Sequence, residues 1–196
     1  MRTCRRGSIR KVALAATLLT AVLWGAPDAG AEVRISNLAV FLNDYDVTVT
    51  VVLFGAVPSA LHESIHTGIA AHVRYYVELW QHTRMGVDRR LQARMVERQI
   101  TYNVLTKEYK VASLAGEQGI ATYLTKSLRD AQRVLSEVRV PHIAPASSLD
   151  TLEVYYVRVR ADTSLNGDNS WAARVAGDAA ETSWVQSNLL TVNRTQ

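Results

Sequence analysis

The chain has 196 residues, 22 basic and 18 acidic, a formal charge of +4, and a single cysteine. Five of the basic residues and one acidic residue lie in residues 1–31, so the following 165 residues carry 17 of each and no net charge. That balance excludes a generally cationic, nucleic-acid-binding surface, which needs basic groups to displace counterions; the lone Cys4 excludes an internal disulfide and a thiolate metal site.

Residues 1–31 read as an export signal. Arg2, Arg5, Arg6, Arg10 and Lys11 form a cationic start, and an apolar run follows from Val12 to Trp24. That run is shorter than the roughly 20 residues a membrane span needs, and it suits a signal-peptide core. Pro27 breaks the helix and Ala29, Gly30 and Ala31 offer a small-residue cleavage site, so the mature chain is expected to start at Glu32. Cys4 precedes the apolar run and is not placed for lipidation. The general secretory route is favoured over the twin-arginine route, because Ser8 stands where a large apolar residue is usual. The expected organisation is a signal peptide over 1–31 and one β-sandwich domain over 32–196, located in the bacterial periplasm or secreted. Membrane contact is expected only through the signal segment before cleavage.

Strict alternation of apolar and polar residues, the mark of half-buried strands, dominates the rest. It predicts strands over 33–43 and 46–55, joined by a turn at Asn43–Asp46. Pro58 and Ser59 open a short helix that Gly68 closes, with Leu61 and Ile65 as its buried stripe. The next strand, 69–80, puts Ile69, Ala71, Val73, Tyr75, Val77 and Leu79 on one face and His72, Arg74, Tyr76, Glu78 and Trp80 on the other. Residues 88–99 suit a helix at Leu91 and Met95. Their position between strands favours a strand instead, with its apolar face switching at a bulge near Glu97. A hairpin is expected from 101–106 and 108–114 around Thr106–Lys107, and a second helix over about 125–138 burying Leu128, Ala131, Leu135 and Val138. The strongest strand is 151–163, with Tyr155, Val157 and Val159 opposite Tyr156, Arg158 and Arg160. A turn at Asn166–Asn169 and a weaker strand over 183–192 complete the chain. The expected fold is mainly β: an antiparallel, immunoglobulin-like β-sandwich of about seven strands with two short helices, preceded by the N-terminal signal helix.

"VRYYVELW" after the glycine-terminated helix, "ITYNVLTKEYKV", "SLRDAQRVLSEV", "YYVRVRADTSL" and the spacing from Trp184 to Ser187 follow in that order. In this succession the chain resembles an uncharacterised bacterial envelope family, domain of unknown function 4390. Asn103 departs from the family pattern, where Asp is usual, and 164–182 matches poorly. The resemblance implies an exported single-domain β protein, often encoded beside an envelope sensor kinase. It brings no catalytic residue and no cofactor.

"HESIHTGIAAH" (62–72) carries the zinc-hydrolase pattern H-E-x-x-H. His62, His66 and His72 would be metal ligands and Glu63 the general base acting on a zinc-bound water. Against this, Ile69 stands where metzincin peptidases place a turning glycine, and Arg74 shares a strand face with His72. Only thirty residues separate Glu32 from His62, and no methionine turn is recognisable. A non-catalytic reading without a cofactor is therefore preferred, with zinc and a zinc-dependent hydrolase as the alternative. Arg84, Arg89, Arg90, Arg94 and Arg98 form a local basic run, read either as a patch for anionic headgroups or an acidic partner, or as a solvated strand face. Tyr76, Trp80, Tyr156, Arg158 and Arg160 could form an aromatic and guanidinium surface of the kind enriched at protein interfaces. No Ser-His-Asp order, glycine-rich phosphate loop or calcium loop is present. The expected function is a protein-interaction module with an envelope protein partner, accessory to signalling or envelope maintenance. A small-molecule carrier with a cavity between its sheets is a third reading.

Overall fold

Apolar residues at every second position give each strand one face to bury, and two sheets satisfy both sets at once. The computed structural model describes residues 33–42, 45–115 and 122–192. The expected signal helix and half of the first turn lie outside the described residues. In chain order, β1 (Arg34–Leu42) and β2 (Val47–Phe54) pair as a hairpin. A 3-10 turn, Ser59–Leu61, runs into α1 (His62–His66), and Gly68 at φ 96° ends it, as the glycine position predicts. β3 (Ala71–His82), β4 (Arg89–Asn103) and β5 (Glu108–Ala115) form a meander. Next come β6 (Tyr123–Thr125), α2 (Leu128–Ser136) and β7 (Glu137–Val140). β8 (Val154–Leu165) and α3 (Trp171–Ala176) precede three short strands, β9 (Ala179–Glu181), β10 (Val185–Gln186) and β11 (Leu190–Thr191).

All pairings are antiparallel and make two sheets: β1-β2-β7, and a larger one in the order β10-β8-β3-β4-β5-β6, with β9 and β11 also on β8. Val49, Val51, Val138 and Val140 of the small sheet share one core with Val73, Tyr75, Val77, Leu79, Ile100, Val157 and Val159 of the large one. Each fully buried aliphatic side chain contributes about 1.5–3 kcal/mol.

α2 fills the gap between the sheets on one side. Ser127 accepts the Asp130 N–H at its start (3.2 Å), and the large sheet satisfies its end. The Tyr75 hydroxyl donates to Leu135 O (2.8 Å), and the buried Arg98 guanidinium donates to Val134 O and to Glu137 O (2.6 Å). Without these donors the last helical carbonyls would be buried and unpaired.

The structure departs from the sequence expectations in several places. Among the described residues there are eleven strands rather than about seven, because β6, β7 and β9 are too short to show a period. The two strands expected over 88–99 and 101–106 are one, β4, which runs from Arg89 to Asn103 and leaves 104–106 in the turn. Its register against β5 shifts between Glu97 and Arg98, at the expected bulge. The turn starts at Asn103, whose Oδ1 accepts the N–H groups of Leu105 (2.9 Å) and Thr106 (3.2 Å), with Lys107 at φ 56°. An acceptor oxygen is what this turn requires, so Asn serves where Asp is usual. Val138 is buried from β7, not from the helix. α3 was not foreseen. The expected strand 183–192 is broken into β10 and β11.

The break has a physical cause. β9, β10 and β11 run along one edge of β8, with spare residues between them. Thr182 and Ser187 occupy the interruptions, and each docks twice on β8. Thr182 N–H donates to Ala161 O (2.8 Å) while its hydroxyl accepts Ala161 N–H (3.0 Å). Ser187 does the same with Val157, at 2.8 and 3.0 Å. Two hydroxyls replace ladder bonds that an irregular strand would lose.

Candidate functional site

The outer face of the large sheet carries the polar residues of β3 and β8, and register decides which of them touch. β3 and β8 pair Trp80 with Tyr156, Glu78 with Arg158, Tyr76 with Arg160, Arg74 with Asp162 and His72 with Ser164. Rings and charges therefore sit side by side along the seam. The Trp80 and Tyr156 rings lie 6.3 Å apart and nearly parallel, at 8°. The Arg158 guanidinium lies 5.2 Å from the Trp80 ring and 4.8 Å from the Trp184 ring; Arg160 lies 5.0 Å from Tyr76 and 5.2 Å from Trp184. Trp184 reaches this position because it occupies the interruption after Thr182. Stacks of this kind contribute about 0.5–1 kcal/mol each at exposed sites.

The structure thus brings together all five residues expected to form an interaction surface, Tyr76, Trp80, Tyr156, Arg158 and Arg160, and adds Trp184. They face away from the core but largely bind one another. Tyr156 is only 5% exposed, and its hydroxyl donates to Asp88 Oδ2 (2.8 Å). Trp80 Nε1 donates to Glu78 Oε2 (2.9 Å), and Arg160 pairs with Glu181 (2.7 Å), which also holds Arg174 (3.0 Å). Strand alternation was the signal that could have revealed Glu78 and Asp162 as partners on the same faces. Glu181 and Trp184 arrive from an irregular segment and carry no such signal.

At the far end of the seam lies Asp162, with no exposed surface and, among the described residues, no hydrogen bond to either carboxylate oxygen. Burial pushes its carboxyl above the usual aspartate range; the Tyr76 hydroxyl and the Arg74 guanidinium, 3.7 Å away, pull the other way. Arg74 is held by Glu97 (3.1 Å) and by Gly167 O (2.7 Å). Gly167, at φ 74°, passes so close that a Cβ there would lie 2.8 Å from Arg74 Nη2. A side chain at this turn would break the contact.

The histidines of the zinc pattern go three separate ways. His62 Nε2 faces Val57 O (3.2 Å) and the Gln132 amide (3.1 Å). His66 Nε2 meets the Tyr109 hydroxyl, and its ring packs against Tyr102 and Tyr109. His72 lies on β3 with Nδ1 against Glu97 Oε1 (2.9 Å) and Nε2 against the Gln99 amide (3.1 Å). Glu63 is exposed on α1. Among the described residues no three His, Cys, Asp or Glu side chains gather into a set able to hold a metal. The three-histidine site of the alternative reading is therefore not assembled. α1 ends one turn after His62, and the following strand carries His72 to the sheet's outer face.

The basic run also divides. Arg98 points inward and caps α2, whereas Arg84 in the β3–β4 connection and Arg89, Arg90 and Arg94 on the first half of β4 are exposed. β5 pairs with β4 only from Glu97 to Asn103, so among the described residues 89–96 has no strand on its second side. Two surface hollows, of about 600 and 560 Å³, flank the sheet. One lies at the β4–β5 hairpin beside Tyr102, Leu105 and Leu124, the other between Ile69, Leu165 and Ala173. Neither of these two lies between the sheets, where the carrier reading would require a cavity. No helix among the described residues is long and apolar enough to cross a membrane.

Two antiparallel sheets around one core, with an aromatic–arginine seam on the outer face, define a small β-sandwich protein. The chain belongs to the family described as Domain of unknown function (DUF4390), whose model matches residues 30–167. That match covers β1 through β8 and stops at the glycine that Arg74 holds, short of the Trp184–Ser187 spacing. No curated protein and no solved structure matches the chain.

Proposed function

We propose that the chain is an exported envelope protein that works by binding, and that it takes an extended, acidic segment of a protein partner along the open edge of β4. The observation that carries this is the second side of residues 89–96, where alternate backbone N–H and C=O groups have no strand partner among the described residues. An extended peptide that pairs with such an edge gains main-chain hydrogen bonds, and side chains on the two faces supply selectivity. Here each face carries an arginine. Arg90 lies on the outer face, opposite Trp80, and Arg94 on the inner face, opposite Val77. Like charges oppose pairing with another copy of the same edge, and they favour an acidic strand.

Export is supported by the N-terminal pattern, and a role beside a signalling or envelope-maintenance system by the family resemblance. The non-catalytic reading is supported by the separate engagement of His62, His66 and His72. A photocrosslinker at Gln92 tests the edge in living cells. It is expected to capture one partner in the envelope fraction, and the double variant Arg90→Glu, Arg94→Glu to lose it. Capture that is equally strong from Lys110 on β5, or that survives the charge reversal, would end the reading.

A further inference from the structure

The β3–β4 connection, residues 83–88, forms a tip whose properties the edge of β4 does not explain. Met85 and Val87 are 96% and 92% exposed. Arg84, Arg89 and Arg90 flank them in the chain and are exposed too. Arg89 donates to Gln81 (3.0 Å) and Arg90 pairs with Glu78 (2.9 Å). Arg84 and Arg94 have no hydrogen-bond or ion-pair partner among the described residues. The one acid of the tip is turned back into the fold. Asp88 accepts the Thr83 N–H (2.9 Å) and the Tyr156 hydroxyl (2.8 Å), and His82 Nδ1 lies 3.2 Å from it. These bonds, Thr83 first, hold its carboxyl below the usual aspartate range. They close the base of the loop and hold that carboxylate, still ionised, against Thr83, His82 and Tyr156.

We propose that this tip docks the protein on an anionic lipid bilayer, with Met85 and Val87 entering the headgroup boundary and Arg84, Arg89 and Arg90 lying against lipid phosphates. The shape favours a bilayer over a protein. The apolar pair stands on a convex tip with almost complete exposure, whereas protein contact surfaces bury apolar groups in a broad complementary patch. A fluid interface accepts a protruding apolar pair, and arginines beside it keep their guanidinium groups at headgroup level while their stems lie deeper. Basic residues within a Debye length of an anionic leaflet add to the attraction individually. The proposal departs from the expectation that only an export segment meets the membrane. It rests on neither that segment nor a partner at the β4 edge.

Co-sedimentation with vesicles tests it, using the full chain as cells produce it. Wild type and variants then share one N-terminus, and any difference belongs to the tip. Wild type is expected to pellet more with phosphatidylglycerol vesicles than with phosphatidylcholine vesicles, and less as salt rises. Met85→Ser with Val87→Ser, and separately Arg84→Glu, is expected to lower partition about tenfold or more with unchanged circular dichroism. A polarity-sensitive dye on Met85→Cys, in a Cys4→Ser background, is expected to shift to the blue on the anionic vesicles. Equal pelleting of wild type and tip variants, or a dye that stays in water, overturns the proposal. A dye that shifts with a soluble acidic polypeptide and not with vesicles overturns it too, and assigns the tip to an acidic protein.

Discussion

The arginines of β8 and those around the β3–β4 tip are chemically identical and lie on the same sheet, yet they are committed differently. Arg158 and Arg160 sit on β8, between β3 and the short strands β9 and β10, each stacked between rings, and Arg160 is ion-paired to Glu181. Arg84 lies in the β3–β4 connection and Arg94 where β4 runs past the end of β5, and among the described residues they touch no acid. A guanidinium becomes structural when strands on both sides bring it rings and carboxylates. Where the sheet ends it stays available. Arg98 marks the extreme of the first kind, since it is buried from the same strand as Arg94, only four residues away.

Substitutions along this series separate the two kinds. Arg98→Ala leaves the last carbonyls of α2 buried without a donor and is expected to cost about 3 kcal/mol in urea unfolding. A loss below about 1 kcal/mol would mean that Arg98 is no more committed than Arg94. Trp184→Ala removes the shared ring over Arg158 and Arg160 and is expected to cost about 2 kcal/mol. Its near-ultraviolet circular dichroism band should change as the seam loosens, and an unchanged spectrum would place the ring outside the stack.

Asp162→Asn tests the buried end of the seam through pH. Burial raises the carboxyl, so the folded chain holds that proton more tightly than the unfolded one. The resulting stability is full below the ordinary aspartate value of about 3.9 and is lost as pH rises through the raised folded value. Asn removes this descending part. Its stability relative to wild type is therefore expected to improve as pH rises from the acid side toward neutrality, and a difference that is flat with pH would refute the assignment.

Arg84→Ala and Arg94→Ala are each expected to change stability by less than about 0.5 kcal/mol, because neither has a hydrogen-bond or ion-pair partner among the described residues. A larger loss would erase the contrast with Arg158 and Arg160. The smallest effect is expected from zinc. Equimolar zinc should leave the melting temperature of wild type and of His66→Ala alike, since the three imidazoles are held apart; a rise in wild type alone would require the histidines to regroup.

Much of this was legible in the chain itself. The faces of β3 and β8 follow from alternation, and Tyr76, Trp80, Tyr156, Arg158 and Arg160 lie together as their positions suggested. The bulge near Glu97 was visible where the apolar face of β4 changes sides, and Gly68 marked the end of α1. Short strands escaped notice, because two to four residues show no period. The H-E-x-x-H pattern misled about geometry for a related reason. A spacing along the chain sets ligand separation only while one regular element continues, and α1 stops at His66.

Which side chains share a face is a local property, set by the two-residue repeat of an extended backbone, and reading the residues in order is enough to find it. Which faces meet is not. Glu97 reaches His72 and Arg74 across more than twenty residues of chain, Asp88 reaches Tyr156 across 68, and Arg74 reaches Gly167 across 93. Those pairings depend on strand order and register, which come from packing two sheets around one core. The tertiary structure alone therefore decided that Arg160 is bound and that Arg84 meets no partner among the described residues.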